Sequence, residues 1–232
     1  MAYAEQIDRI YFQVDDLLGH LMAQVEQRWP DCEVLVMSDH GFAPMHRVMN
    51  INDWLVQEGY LVLHEQGAAG SLAVPYDEYG QVLWGDSFVD WSQTRAYAVG
   101  FNGVILNRAG REPQGIVAAS DADALLAEIR FKLQALRDGD GAVVLQRVML
   151  AVEVFDPQGA RFAQAPDLQL GFSVGYGASD SSALGKVLAG PILEDNDSRW
   201  SGSHLMDPDV VRGTLAWSRP GPLLIEDPQL TD

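Results

Sequence analysis

Apolar positions recur at three- and four-residue spacing near the N-terminus: Ile7, Ile10, Tyr11, Val14, Leu17, Leu18, Leu21 and Val25. This spacing predicts an amphipathic helix that ends before Pro30. A wholly apolar run, 34-VLVM-37, follows and predicts a buried strand. It breaks into a polar loop, 38-SDHGFAPMHRVMN-50. Asn52 then predicts the cap of a short helix running through Glu58 and stopped by Gly59. Helix, apolar strand and polar loop in this order predict a three-layer αβα sandwich around a largely parallel sheet.

Between Tyr60 and Val117 the pattern changes to short strands and glycine turns, including 97-YAVGFNGVILN-107. Ser120 and Asp123 form a capping-box pattern ahead of a helix over 124–139, whose buried stripe is Leu125, Leu126, Ile129, Leu133 and Leu136. Strands are predicted over 142–155, 167–172 and 213–218, with a loop of small residues over 173–191. No internal repeat or low-complexity tract interrupts the chain.

The polar loop carries the first candidate chemistry. In open α/β sheets ligands bind beyond the carboxyl ends of the strands, where Asp39 and His40 stand. A carboxylate oxygen and an imidazole nitrogen are both good ligands for zinc and similar ions. Gly41 would let the backbone turn there without a Cβ clash. The alternative is a plain turn, with Asp39 bonding nearby amides and His40 on the polar surface. A second segment, 200-WSGSHLMDPDVVRGTLAW-217, places His204 in a small-residue loop before a terminal strand, able to reach the same sheet edge. Together the three residues favour a metal site.

Other candidates read more simply. His20 belongs to the first helix, His46 lies beside Arg47 on solvated surface, and His64 has no partner pattern. Asp207 and Asp209 read as turn formers. Ser201 and Ser203 lack an adjacent base and are not convincing nucleophiles. Cys32 precedes the buried strand and reads as core. The acidic run 194-EDND-197 reads as a solvated loop.

Composition narrows the field. The chain has 232 residues, 47% of them hydrophobic, which suffices for one large domain or a domain with an insertion. Its formal charge of −18 disfavours nucleic-acid polymers over the general surface, so an anionic substrate needs cations that reverse the field locally. One cysteine allows no internal disulfide, which fits a reducing, cytoplasmic compartment. No stretch is long and apolar enough to span a bilayer, so no membrane partner is expected.

The segments 38-SDHGF-42, 50-NINDWLVQEGYL-61, 90-DWSQTRAYAVGFNGVILNRAGREPQGIV-117 and 199-RWSGSH-204 resemble the alkaline phosphatase superfamily, and within it the type I phosphodiesterase/nucleotide pyrophosphatase branch. The resemblance implies a hydrolase for small phosphate esters that uses two divalent ions, zinc or alternatively manganese. It implies that Asp39 and His40 bind one ion and His204 the other. It also implies that the nucleophile, a threonine or serine, lies in an N-terminal portion that this chain does not contain. Residues 1–59 then correspond to the C-terminal part of the catalytic core, 60–190 to an inserted α+β region, and 191–232 to the return to the core. Ser203 departs from the acidic residue frequent in close relatives. On this reading the chain alone is inactive and either self-associates or pairs with the missing half. The rivals are a non-catalytic module that binds a metal or a partner, and a phosphomutase.

Overall fold

Two units divide the chain, Met1–Asp39 with Gly213–Asp232 and, separately, His40–Arg212. The structure, a computed structural model, describes residues 4–64 and 89–218. The strands expected between 65 and 88 lie outside the described residues.

In the first unit the helical spacing gives α1, Ala4–Arg28, which ends before Pro30 as expected. Strand β1, Leu35–Met37, pairs antiparallel with β10, Leu215–Trp217, in the register Val36↔Ala216. Ser38 extends this ribbon: its amide donates to the Thr214 carbonyl at 2.9 Å, and its hydroxyl accepts from the Thr214 amide at 2.8 Å. A Cβ on Gly213 would sit 2.6 Å from the Ser38 carbonyl oxygen, so the ribbon needs glycine there. The expected burial of 34-VLVM-37 is not found: Leu35 is 56% and Met37 68% exposed. The α1 stripe of Ile7, Ile10, Val14, Leu17 and Leu21 is exposed as well, and so is Cys32, which is therefore not core. A two-stranded ribbon with a single helix has too little surface to bury both faces of either element.

The second unit holds the core. Its elements are β2 (Ala43–Met49), α2 (Ile51–Gln57), β3 (Ala96–Tyr97), β4 (Gly103–Leu106), α3 (Ala119–Ala135), β5 (Leu145–Leu150), α4 (Ala151–Val154), β6 (Leu168–Phe172), β7 (Gly175–Ala178), α5 (Asp180–Ala183), β8 (Leu193–Asp195) and β9 (Gly202–Ser203). One sheet runs β7-β2-β8, with β9 on the start of β2; the other runs β3-β4-β6-β5. The architecture is mixed α/β, with no closed barrel among the described residues. The parallel pairing expected from the sequence occurs between β2 and β7, and the other pairs of named strands are antiparallel. Ile129 and Leu133 of α3 are fully buried, as are Leu168, Leu170 and Phe172 of β6, and α3 packs on β5.

Buried polar side chains join these pieces. Asp167 accepts from the Leu106 amide at 2.7 Å and from the guanidiniums of Arg108 and Arg111. Asn107 donates to the carbonyls of Trp91, Thr94 and Gln114, fixing the 90–117 segment. Asn52, expected as a helix cap, is instead buried in the first turn of α2 and exchanges two 2.8 Å hydrogen bonds with the Ala98 backbone. Helix α3 begins at Ala119 with Ala118 as its cap, so Ser120 lies inside its first turn and makes no cap.

Three further expectations change. The strand over 142–155 is β5 followed by α4, and the small-residue loop over 173–191 contains β7 and α5. Glycine removed the apolar alternation that would have marked β7: a Cβ on Gly177 would strike the Met45 side chain. The acidic run 194–197 is structured: Glu194 and Asp195 belong to β8, Glu194 accepts from Asn50, and Asp195 pairs with Arg47 at 2.6 Å.

Arg47 also donates to both oxygens of Asp138, at 2.9 and 3.1 Å, so it is a structural clamp rather than free surface. The Arg47 hydrogen bonds hold the Asp138 carboxyl below its ordinary range, aided by the Gly139 amide. A carboxyl depressed on folding stabilises the protein above its unfolded pKa, about 3.9, and that stability is lost as pH falls through the lower folded value. Arg47→Gln is therefore expected to cost about 1–2 kcal/mol at neutral pH and far less near pH ~2. Denaturant titrations of both proteins at the two pH values check this, and an equal cost at both would contradict it.

Candidate functional site

Strand β2 begins three residues after His40, and β9 ends one residue before His204. The two strands pair antiparallel through Ala43↔Ser203 and Pro44↔Gly202, and the Met45 amide donates to the Ser201 carbonyl at 2.8 Å. This register carries the two histidine loops to one sheet end. The His40 and His204 rings are stacked, with centroids 4.0 Å apart and planes 9° from parallel. Both residues are exposed.

Each loop is held by its backbone. The Gly41 amide donates to the Val211 carbonyl at 2.6 Å, and a Cβ on Gly41 would stand 2.5 Å from the Arg212 carbonyl oxygen. Glycine is required there by close approach of two backbones; its φ is not positive, so the expected sharp turn is not the cause. On the other loop, a Cβ on Gly202 would strike the Phe42 ring. Asn196 donates to the carbonyls of Met45 and Trp200, at 2.9 and 2.7 Å, bracing the approach to His204. Beyond His204, Asn102 donates to the Leu205 carbonyl at 3.0 Å.

Asp207 secures the same segment. It is fully buried, and Arg147 grips both of its oxygens at 2.6 Å. Its role exceeds the turn former expected from sequence, while Asp209 caps the ion pair through Arg147 and Arg212. Asn102, Arg147 and Asn196 are positioning residues that sequence reasoning missed. Only the Asn in 97-YAVGFNGVILN-107 had a signal, as a polar residue amid strand-forming neighbours.

One ring nitrogen of His40, Nδ1, lies 2.8 Å from the Gly41 carbonyl oxygen. A carbonyl only accepts, so Nδ1 carries the hydrogen in that bond. Such a bond is the usual means of fixing a ligating tautomer. An imidazole nitrogen's lone pair lies in the ring plane. Two parallel rings 4.0 Å apart are therefore poorly disposed to share one ion, and their separation is close to the ~3.5–4 Å spacing of two-metal sites.

The structure brings His40 and His204 together within one unit. Asp39, also exposed, closes the first unit at the position before His40. Among the described residues no group of three or more His, Cys, Asp or Glu side chains is arranged to hold a metal ion. Of the remaining histidines, His20 bonds the Asp16 carbonyl one helical turn back, and His46 and His64 are exposed. Ser203 accepts from the Leu205 amide at 3.0 Å, a turn role. Among the described residues no helix is long and apolar enough to cross a membrane.

The family model for type I phosphodiesterase / nucleotide pyrophosphatase matches residues 3–142, more than half of the chain. The chain belongs to this family, and its mixed α/β architecture agrees with an alkaline phosphatase-like fold. The match includes Asp39 and His40, and His204 lies beyond it. Membership supports a phosphoesterase activity in general. No curated protein and no solved structure gave a match.

The close approach at Gly41 makes a sharp prediction. Gly41→Ala is expected to destabilise the second unit by about 1–3 kcal/mol, because backbone must shift to admit the methyl. Gly139, with nothing near its Cβ position, should accept alanine within about 0.5 kcal/mol. Thermal melts of the two variants compare them directly, and equal behaviour would refute the packing argument.

Proposed function

We propose that this chain supplies part of a two-metal phosphodiesterase site, with Asp39 and His40 on one divalent ion and His204 on the other. The observation that carries the reading is the stacked histidine pair, whose parallel planes and separation suit two neighbouring ions. Zinc is the favoured ion because imidazole and carboxylate are its ordinary ligands, with manganese the alternative. When bound, such ions polarise a phosphoryl oxygen and stabilise the attacking and leaving oxygens. The chain's own contribution is to hold two imidazoles on a paired backbone and to fix the His40 tautomer through Gly41. The substrate is a small phosphate ester, drawn to the cations despite the acidic surface. The single cysteine supports a cytoplasmic setting.

The three proposed ligands are fewer than two tetrahedral ions require, so the reading needs further ligands and a hydroxyl nucleophile from outside the described residues. We infer that a polypeptide segment outside the described residues brings them, and separately that α1 and β1 present a face to a partner. The support is the apolar stripe of α1, the exposed β1, and one edge of β1 that has no partner among the described residues. A charge of −18 opposes pairing with a second copy, which favours a different polypeptide.

Metal analysis tests the ligands: zinc stoichiometry should fall in His40→Ala and in His204→Ala relative to the parent, and equal content in all three would sink the assignment. The chain alone should hydrolyse an aryl phosphodiester negligibly with zinc or manganese added, since positioning supplies much of the rate. Robust turnover abolished by His204→Ala would show the described site to be sufficient. Negligible turnover together with no metal binding would favour the non-catalytic module. Light scattering and binding of a hydrophobic dye should report an exposed apolar face, more strongly at moderate than at low salt if copies associate. A cooperatively melting monomer that binds no dye would remove the partner from the reading.

A further inference from the structure

A cavity of about 450 Å³ opens between α3, the junction of β5 with α4, and a short 3-10 turn, Phe162–Gln164. Neither His40 nor His204 lines it. Its volume falls in the ~300–1,000 Å³ range of small-molecule sites. Leu126, Leu150, Val152, Phe162 and Ala163 form apolar walls, and three arginines border them: Arg108, Arg111 and Arg130. We propose that this cavity binds an amphipathic anion, a carboxylate or phosphate head carrying an aliphatic tail.

The arginines differ in what they have left to give. Arg111 is nearly saturated: it donates to Glu112, to both oxygens of Asp167 and to the Leu106 carbonyl. Arg108 approaches only Asp167, through Nε at 2.9 Å and one terminal nitrogen at 2.7 Å. Among the described residues Arg130 bonds only Glu153, through one terminal nitrogen at 3.0 Å. Arg108 and Arg130 thus each retain a terminal nitrogen with no hydrogen-bond partner among the described residues. A guanidinium fork matches the two oxygens of a carboxylate or phosphate. Asp167, gripped from the inside, holds Arg108 in place, so the fork is oriented before any ligand arrives.

Net charge does not decide recognition here. The lining carries three guanidiniums against the carboxylates of Asp123 and Asp167, and Glu112 and Glu153 stand just outside. Directed N–H donors beside apolar walls select a ligand with an anionic end and an apolar body. An inorganic anion leaves the walls unused, and a neutral alkane chain leaves the arginine donors unused. Asp123 makes no ion pair among the described residues and opposes an anionic head.

Calorimetric titration of the full chain with decanoate, decyl phosphate, decanol and inorganic phosphate tests this. One saturable, submillimolar site is expected for at least one of the two anionic amphiphiles, and their order tells which head is preferred. Decanol and phosphate should bind at least about tenfold more weakly. Arg130→Gln should weaken the amphiphile about tenfold, Ala163→Trp should block the cavity, and Asp123→Asn should strengthen binding. Arg130 is half-buried while Ala163 and Asp123 are exposed, and circular dichroism melts confirm that each variant folds. His204→Ala should leave the affinity unchanged, so failure of the histidine site does not affect this test. No saturable binding of either anion, equal binding of decanol, or an affinity insensitive to both Arg130→Gln and Ala163→Trp overturns the proposal.

Discussion

Two backbone pairs, Ala43 with Ser203 and Pro44 with Gly202, are the constraint on which the candidate site depends. Residues far apart in sequence meet there only after a long loop has closed, and closure entropy must be offset elsewhere. The offset comes from the body of β2, which continues past the short pairing into β7 on one side and β8 on the other. Its last residues, Val48 and Met49, are buried in the core. The site end of β2, where Ala43 is buried and Pro44 exposed, can therefore be lightly paired because its other end is not. Glycine at 41 and 202 follows from the same geometry, since both loops approach neighbouring groups more closely than a Cβ permits.

A strongly acidic chain folds here by turning carboxylates inward as joints. Asp53 accepts from the Leu188 and Gly190 amides, Asp167 from Leu106 and two arginines, and Asp207 from Arg147. Breaking one partner of such a buried charge is costly, on the order of 3–5 kcal/mol, because the other is left uncompensated. The three carboxylates named here are matched by three arginines, Arg108, Arg111 and Arg147, so the excess of 33 acidic over 15 basic residues is carried elsewhere in the chain. That excess, and not the internal ion pairs, denies anions a general foothold. An anion must then be met by metal ions or by arginines that keep spare donors.

Periodicity made the helices legible. The spacing of Leu125, Ile129 and Leu133 located α3, and the stop at Pro30 bounded α1. The loops carrying His40 and His204 were legible as polar, small-residue segments, the first of them following an apolar run. What stayed hidden was chosen by distant partners. Asn52 has the chemistry of a cap, yet the Ala98 backbone competes for both ends of its amide and wins by burial. Strand β7 has almost no side-chain alternation, so only its pairing with β2 defines it. Asp207 looked like a turn former because its turn is real; the Arg147 fork beneath it arises from another strand.

The first unit marks the limit of this kind of reading. Apolar spacing states what a segment is able to bury, whereas burial itself needs a surface to lie against. In α1 the stripe is intact and Leu17 is nonetheless 59% exposed, while in α3 a comparable stripe is closed by β5. The difference lies in the neighbour and not in the helix. The same reasoning applies to the histidines: side-chain type and loop position state what can ligate, and the number of converging ligands decides whether an ion is held. An open apolar face and a short ligand set are thus two forms of one condition, each a local pattern without a complement among the described residues.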